Sequence, residues 1–165
     1  MDELSRYSTG TVLNPDDLHP VIRDKDVETA KIAEKLMKIA DEARKFSYSP
    51  YSKFSVGAAL LCMDGTIYTG CNIETAAFTG VCAERNAVFK AISDGRKSFA
   101  AIAISGGKHE KESGYCSPCG VCRQVLSEFV NPFEFMVIFR GVTGDVKAVS
   151  FNEVLPYTFG PESLE

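Results

Sequence analysis

The amino-acid sequence predicts an α/β fold, a three-layer α/β/α sandwich with helices on both faces of one mixed, roughly five-stranded sheet. Segments of helical and of strand length interleave along the chain without internal repeats. The turn signal Asp64-Gly65 makes the first strand pair antiparallel. The composition, 45% hydrophobic and 24% charged over 165 residues, suits one globular domain. At that length about 70% of the unfolded surface can be buried, so the core needs no disulfides.

Each element has its own signature. Residues 1–25 carry Asn14, Pro15, His19 and Pro20 without sustained periodicity and read as an irregular arm ahead of the domain proper, residues 26–165. Over residues 27–46, Val27, Ala30, Ala33, Leu36, Met37, Ala40 and Ala43 recur at helical spacing, the stripe of an amphipathic helix that faces a sheet. Ser49-Pro50-Tyr51-Ser52 breaks that helix, and residues 54–62 form an apolar run of strand length. The return strand covers residues 66–72. After an irregular connection, residues 82–93 read as a helix closed by Asp94-Gly95. Residues 100–105 are a third strand, 119–129 a third helix, 135–139 a fourth strand and 146–150 a fifth.

Charge and composition exclude several classes. A net charge of -4, from 22 acidic and 18 basic residues, is the wrong sign for gripping phosphate backbones, so no nucleic-acid partner is expected. The first residues, MDELSRYSTG, hold no apolar run, and no stretch reaches the 18 or so apolar residues of a membrane span, so the reading is cytoplasmic with no membrane partner. In a reducing compartment closely spaced cysteines, among the six here, are expected to bind metal or do chemistry and not to pair as disulfides.

The cysteine pattern is specific. Cys82-Ala83-Glu84-Arg85 and Pro118-Cys119-Gly120-Val121-Cys122-Arg123 each open a predicted helix, where free amides and the positive dipole end favour a thiolate. Cys119 and Cys122 have the spacing at which one turn presents two sulfurs to one tetrahedral zinc. With Cys82 they make three ligands, and the open fourth position of a catalytic zinc can take water. Arg85 and Arg123 are both placed to donate to the thiolate sulfurs and relieve their charge, Arg85 being the preferred one. An iron–sulfur run Cys116-x-x-Cys119-x-x-Cys122 fails at Leu126, where a fourth cysteine followed by proline is required. A closed structural zinc with Cys116 or Cys71 as fourth ligand is the competing reading, but it has no use for Glu84. Cys62, Cys71 and Cys116 otherwise read as buried small hydrophobes. His19 and His109 have no partner spacing that suggests a site.

With these residues the chain resembles the homotetrameric cytidine deaminases. The resemblance runs over about residues 30–161 and rests on Pro50-Tyr51-Ser52 with Phe54, Val56-Gly57-Ala58-Ala59-Leu60, Asn72-Ile73-Glu74, the Cys82-Ala83-Glu84-Arg85 segment, residues 118–124, and Leu155-Pro156 with Phe159-Gly160-Pro161. It implies that residues 26–165 are a catalytic domain, with zinc held by Cys82, Cys119 and Cys122 and Glu84 as catalytic acid and base. It also implies ribose contacts from Asn72 and Glu74, an aromatic wall at Phe54, and a homotetramer in which Phe159 closes a neighbour's site. The implied reaction is hydrolytic deamination of free cytidine, with 2'-deoxycytidine as a second substrate, in pyrimidine nucleoside salvage. The alternative is an unusual cytosine nucleoside such as blasticidin S. Asn72 and Glu74 are two apart, so in extended chain they share a face and can grip one hydroxyl, and such a pocket rejects analogues that lack it. The connection from Asn72 to Cys82, ten positions, is one residue shorter than the family's usual, and Phe78 stands where tyrosine is common. In the family this segment lies close to the base, so fine substrate preference is not among the properties the resemblance implies.

Overall fold

The computed structural model describes residues 27–109, 111 and 113–164; the expected arm and His19 lie outside them. Helix α1, Val27–Arg44, is followed by strands β1, Phe54–Cys62, and β2, Ile67–Cys71, then helix α2, Ala83–Ser93, and strand β3, Phe99–Lys108. Helix α3, Gly120–Ser127, precedes β4, Met136–Arg140, and β5, Val146–Ser150, and the chain continues into a short helix α4, Phe151–Val154, and a 3-10 turn, Pro161–Leu164.

The strands form one sheet in the order β2-β1-β3-β4-β5. It is mixed, because β3 and β4 run parallel while the other three pairs are antiparallel. The first hairpin closes as a type I turn followed by a left-handed glycine. Gly65 donates to the Cys62 carbonyl at 3.0 Å, the Cys62 amide to Thr66 at 2.8 Å, and Gly65 holds φ 84.

Alternate residues of the central strands serve opposite layers. Ala59, Leu61, Ala101, Ala103 and Ile138 pack against Leu36, Met37 and Ala40 of α1. Ala58, Leu60, Ile102, Ile104 and Val137 pack against Ala83, Ala87, Val88, Ala91 and Leu126 of α2 and α3. The helices therefore cover both faces, as the sequence predicts. Two glycines set how close they come. A Cβ on Gly57 would lie 2.2 Å from the Ala40 carbonyl oxygen of α1, and one on Gly70 would lie 2.3 Å from the Ala83 carbonyl oxygen of α2.

Most element boundaries shift from the sequence reading, and three differences have a visible physical cause. α1 stops at Arg44 because the amides of Lys45, Phe46 and Ser47 bond back three residues, to Glu42, Ala43 and Arg44, and the last turn tightens. β3 runs past Ser105 through Gly106 and Gly107, which pair with Val56 and Ser55, so these glycines extend the strand instead of ending it. α4 has no counterpart in the sequence reading. Its signal was the capping box Ser150-x-x-Glu153, in which the Ser150 amide donates to Glu153 Oε1 at 2.9 Å.

Candidate active site

Two helix starts meet on the face that α2 and α3 cover. Cys82 is the residue before the first turn of α2, and Cys119 holds the same place in α3, where its sulfur accepts the Cys122 amide at 3.4 Å. The Cys82 and Cys119 sulfurs are 3.8 Å apart, those of Cys119 and Cys122 3.4 Å, and all three lie within 4.8 Å of one another. Two sulfurs at about 2.3 Å from a tetrahedral zinc stand about 3.8 Å apart. The cluster therefore already has the spacing that one zinc ion requires, and its all-sulfur donor set suits that metal.

The cluster is electrostatically primed. Hydrogen bonds from Cys122, Arg85 and Cys119 pull the Cys82 thiol well below its usual value, although burial opposes them. The same bond to Cys82, together with burial, drives Cys122 up, so a metal must displace a proton to use all three sulfurs. Arg85 Nη2 lies 3.5 Å from the Cys82 sulfur, and its Nε is buried without a partner among the described residues. Arg123 is engaged elsewhere: Nε donates to the Pro118 carbonyl at 2.8 Å and Nη1 to Val154 at 2.7 Å. Of the two arginines that the sequence places near the sulfurs, Arg85 is the one within reach.

Glu84 sits in the first turn of α2 and is 4% exposed. Burial, with the Cys82 charge as a smaller cause, raises its carboxyl above the ordinary value. Burial likewise pushes Cys62 and Cys116 up to about 12, which keeps them protonated and fits their reading as small hydrophobes. Cys71 is half-buried, and its sulfur meets the Phe46 carbonyl at 3.2 Å. Neither Cys71 nor Cys116 belongs to the three-sulfur group.

The other residues singled out in the sequence gather around the start of β1. Asn72 and Ile73 stay extended beyond β2, with the Ile73 amide bonded to Val81 at 3.0 Å and the Glu74 amide to Tyr48 at 2.8 Å. Both polar side chains turn to one segment. Asn72 Oδ1 accepts the Val56 amide at 2.7 Å and its Nδ2 donates to the Phe54 carbonyl at 2.9 Å, while Glu74 Oε2 accepts the amides of Tyr51 and Ser52 at 2.9 and 3.1 Å. Hydrogen bonding from the Ser52 side chain and the two amides holds the Glu74 carboxyl below its usual value.

Phe54 is partly exposed, and its ring edge and the Cys116 side chain both lie against Gly106. A Cβ on Gly106 would stand 2.3 Å from the Cys116 sulfur and 3.1 Å from Phe54 Cε1. Gly106 was not legible as a site residue. Phe159 is 58% exposed, and its backbone carbonyl accepts Gln124 Nε2 of α3 at 2.9 Å. The segment is thus pinned to α3 by its main chain while the ring faces outward.

Comparison with known proteins agrees with this geometry. Residues 30–137 match the model of the family described as the cytidine and deoxycytidylate deaminase zinc-binding region. A cytidine deaminase of Sporosarcina psychrophila is 48% identical over 132 residues, 79% of this chain and 93% of that one. A cytidine deaminase of Halalkalibacterium halodurans is 42% identical, covering 78% of this chain and 95% of the relative. Among solved structures, the cytidine deaminase of Burkholderia pseudomallei is 42% identical with a TM-score of 0.68, over 76% of this chain and 98% of that one.

Proposed function

The chain belongs to the cytidine and deoxycytidylate deaminase zinc-binding family, and on that premise we propose how its residues divide the work. The reaction is hydrolytic deamination of cytidine to uridine and ammonia, and zinc is the cofactor. Cys82, Cys119 and Cys122 are its ligands, and the observation that carries this is the three-sulfur cluster at two helix starts, at tetrahedral spacing. When bound, zinc supplies a Lewis acid that lowers the pKa of water at its open position. Arg85 offsets the charge of the thiolates from 3.5 Å.

Glu84 is the proton carrier. Its buried carboxyl, with affinity for protons raised by its surroundings, takes a proton from the attacking water and passes it to N3 of the base to make C4 electrophilic, then takes the second proton from the hydroxyl now on C4 and gives it to the departing amine as the C4 carbonyl forms. Phe54 stacks on the base, and Asn72 and Glu74 hold the ribose. The catalytic domain is residues 26–165, and residues 1–25 are an arm in front of it. Phe159, outward-facing on a pinned segment, completes the site of a neighbouring copy in a homotetramer. The substrate is a free nucleoside, 2'-deoxycytidine is accepted as well, and the work is done in the cytoplasm as nucleoside salvage. No described helix is long and apolar enough to cross a membrane.

Turnover of cytidine, 2'-deoxycytidine, cytosine and blasticidin S, followed by the ultraviolet change on loss of the amine, tests this reading. The two nucleosides are expected to react and free cytosine to be rejected by at least about 100-fold, because a pocket built around a hydroxyl leaves polar groups unpaired without it. Preferential turnover of blasticidin S would overturn the assignment.

A further inference from the structure

The hydrogen bonds of Asn72 leave little freedom. A side-chain amide has two acceptor sites on its oxygen and two donor hydrogens on its nitrogen. Here Oδ1 accepts the Val56 amide at 2.7 Å and the Ser47 hydroxyl at 2.5 Å, and Nδ2 gives one hydrogen to the Phe54 carbonyl at 2.9 Å. One N–H remains. Glu74 is the complement, since Oε2 is engaged by two backbone amides and the carboxylate can only accept. A hydroxyl set between them donates to Glu74 and accepts from Asn72.

The Val56 amide and the Phe54 carbonyl belong to β1 and fix where the amide group sits. Ser47 fills the second acceptor site of the oxygen, and it does so from outside the sheet, 25 residues away in sequence. It is itself held by a row of hydroxyls. Ser47 Oγ lies 3.1 Å from Ser49 Oγ, Ser49 3.3 Å from Ser55, and Ser55 3.0 Å from His109 Nδ1. Ser49 and Ser55 are 3% and 5% exposed, so this part of the row is shielded from water that would otherwise compete for the same bonds. At its far end Ser55 and His109 line a cavity of about 730 Å³ on the α1 side, together with Asp41, Arg44 and Arg140 of α1 and β4. No role was assigned to His109 or Ser47 from the sequence.

We propose that Ser47 is a positioning residue for substrate selection: by capping the Asn72 oxygen, it holds the amide with its one remaining N–H aimed at the ribose hydroxyl. Without this bond the amide loses one of three restraints, and a half-buried acceptor site is left open for water, so the amide is held less firmly against the hydroxyl. This inference rests on the ribose role proposed for Asn72.

The test compares Ser47→Ala, Ser47→Thr and Asn72→Ala, using cytidine and 2',3'-dideoxycytidine as substrates. Ser47→Ala is expected to raise KM for cytidine about 10-fold with kcat nearly unchanged, and to shrink the preference for cytidine over the dideoxy analogue by the same factor. Ser47→Thr, which keeps the hydroxyl, is expected to retain that preference. A residue with only a structural role would lower thermal stability and leave the preference intact. If Asn72→Ala abolishes the preference while Ser47→Ala does not alter it, the positioning role is refuted. If Asn72→Ala itself leaves the preference unchanged, the ribose role of Asn72 fails instead.

Discussion

Gly70 is the point at which the sheet meets the helix that carries Glu84, and Gly70→Ala tests how tightly that helix is placed. The added Cβ would stand 2.3 Å from the Ala83 carbonyl oxygen and 2.6 Å from the Ala87 amide nitrogen, both main-chain atoms that no rotamer change can move. Ordinary contact begins at 3.4 Å, so the first turn of α2 must retreat by 3.4 − 2.3, or 1.1 Å. Ala83 lies between Cys82 and Glu84, and the displacement falls directly on both. Overpacking of this kind costs about 1 to 3 kcal/mol of stability. A catalytic group misplaced by about 1 Å loses about 100-fold in rate. The expected result is a variant that folds with a lowered Tm and has kcat reduced about 100-fold. Gly57→Ala is the matched control: its Cβ would strike Ala40 and Arg44 of α1 on the opposite face, so it is expected to lower Tm comparably and leave kcat of the folded protein within a few-fold. Gly70→Ala with wild-type kcat, or Gly57→Ala with the larger loss of kcat, would refute the claim that the β2–α2 contact positions Glu84.

Two further predictions concern the metal and the neighbouring subunit. Cys119→Ala, which removes the sulfur standing 3.8 Å from Cys82 and 3.4 Å from Cys122, is expected to lose most of the bound zinc when the metal is measured by atomic absorption; full occupancy would show that other groups hold it. Phe159→Ala is expected to raise KM without disturbing zinc content, and deleting residues 155–165 to impair assembly and activity together. Light scattering that finds a fully active monomer of 18.0 kDa would contradict the shared site.

Much of this was legible because the informative residues act through local geometry. Helical periodicity placed α1, the Asp64-Gly65 turn fixed the β1–β2 hairpin, and β1 and β5 have the boundaries the sequence predicts. The spacing of Cys119 and Cys122 needs only one helical turn to bring two sulfurs together. That Cys82 joins them depends on the sheet, since 36 residues intervene; in the sequence it stood out as a third cysteine opening a predicted helix, and the family resemblance implied the same role. What escaped notice depends on contacts between distant segments. Gly57, Gly70 and Gly106 look like ordinary strand glycines until helix backbones and the Cys116 sulfur are seen against them. Ser49 reads as a helix breaker beside Pro50, and nothing in its neighbours announces that it joins Ser47 to Ser55 and His109. Arg85 and Arg123 each adjoin a residue of the motif, and the sequence reading preferred Arg85; the carbonyls of Pro118 and Val154 show where Arg123 is engaged instead.

Glu84→Gln is the most direct test of whether a three-cysteine zinc site and one buried carboxylate together deaminate cytidine. Zinc content and conversion of cytidine to uridine are measured on the same samples of wild type and variant. The amide keeps the shape of the side chain but cannot carry protons, and a general acid/base group contributes about 100-fold to 10,000-fold, with the upper end expected when one residue serves each transfer. About one zinc per chain is expected in both proteins, with a loss of turnover at or beyond that upper end in the variant. A zinc-loaded Glu84→Gln protein that keeps a tenth of wild-type turnover would contradict this expectation.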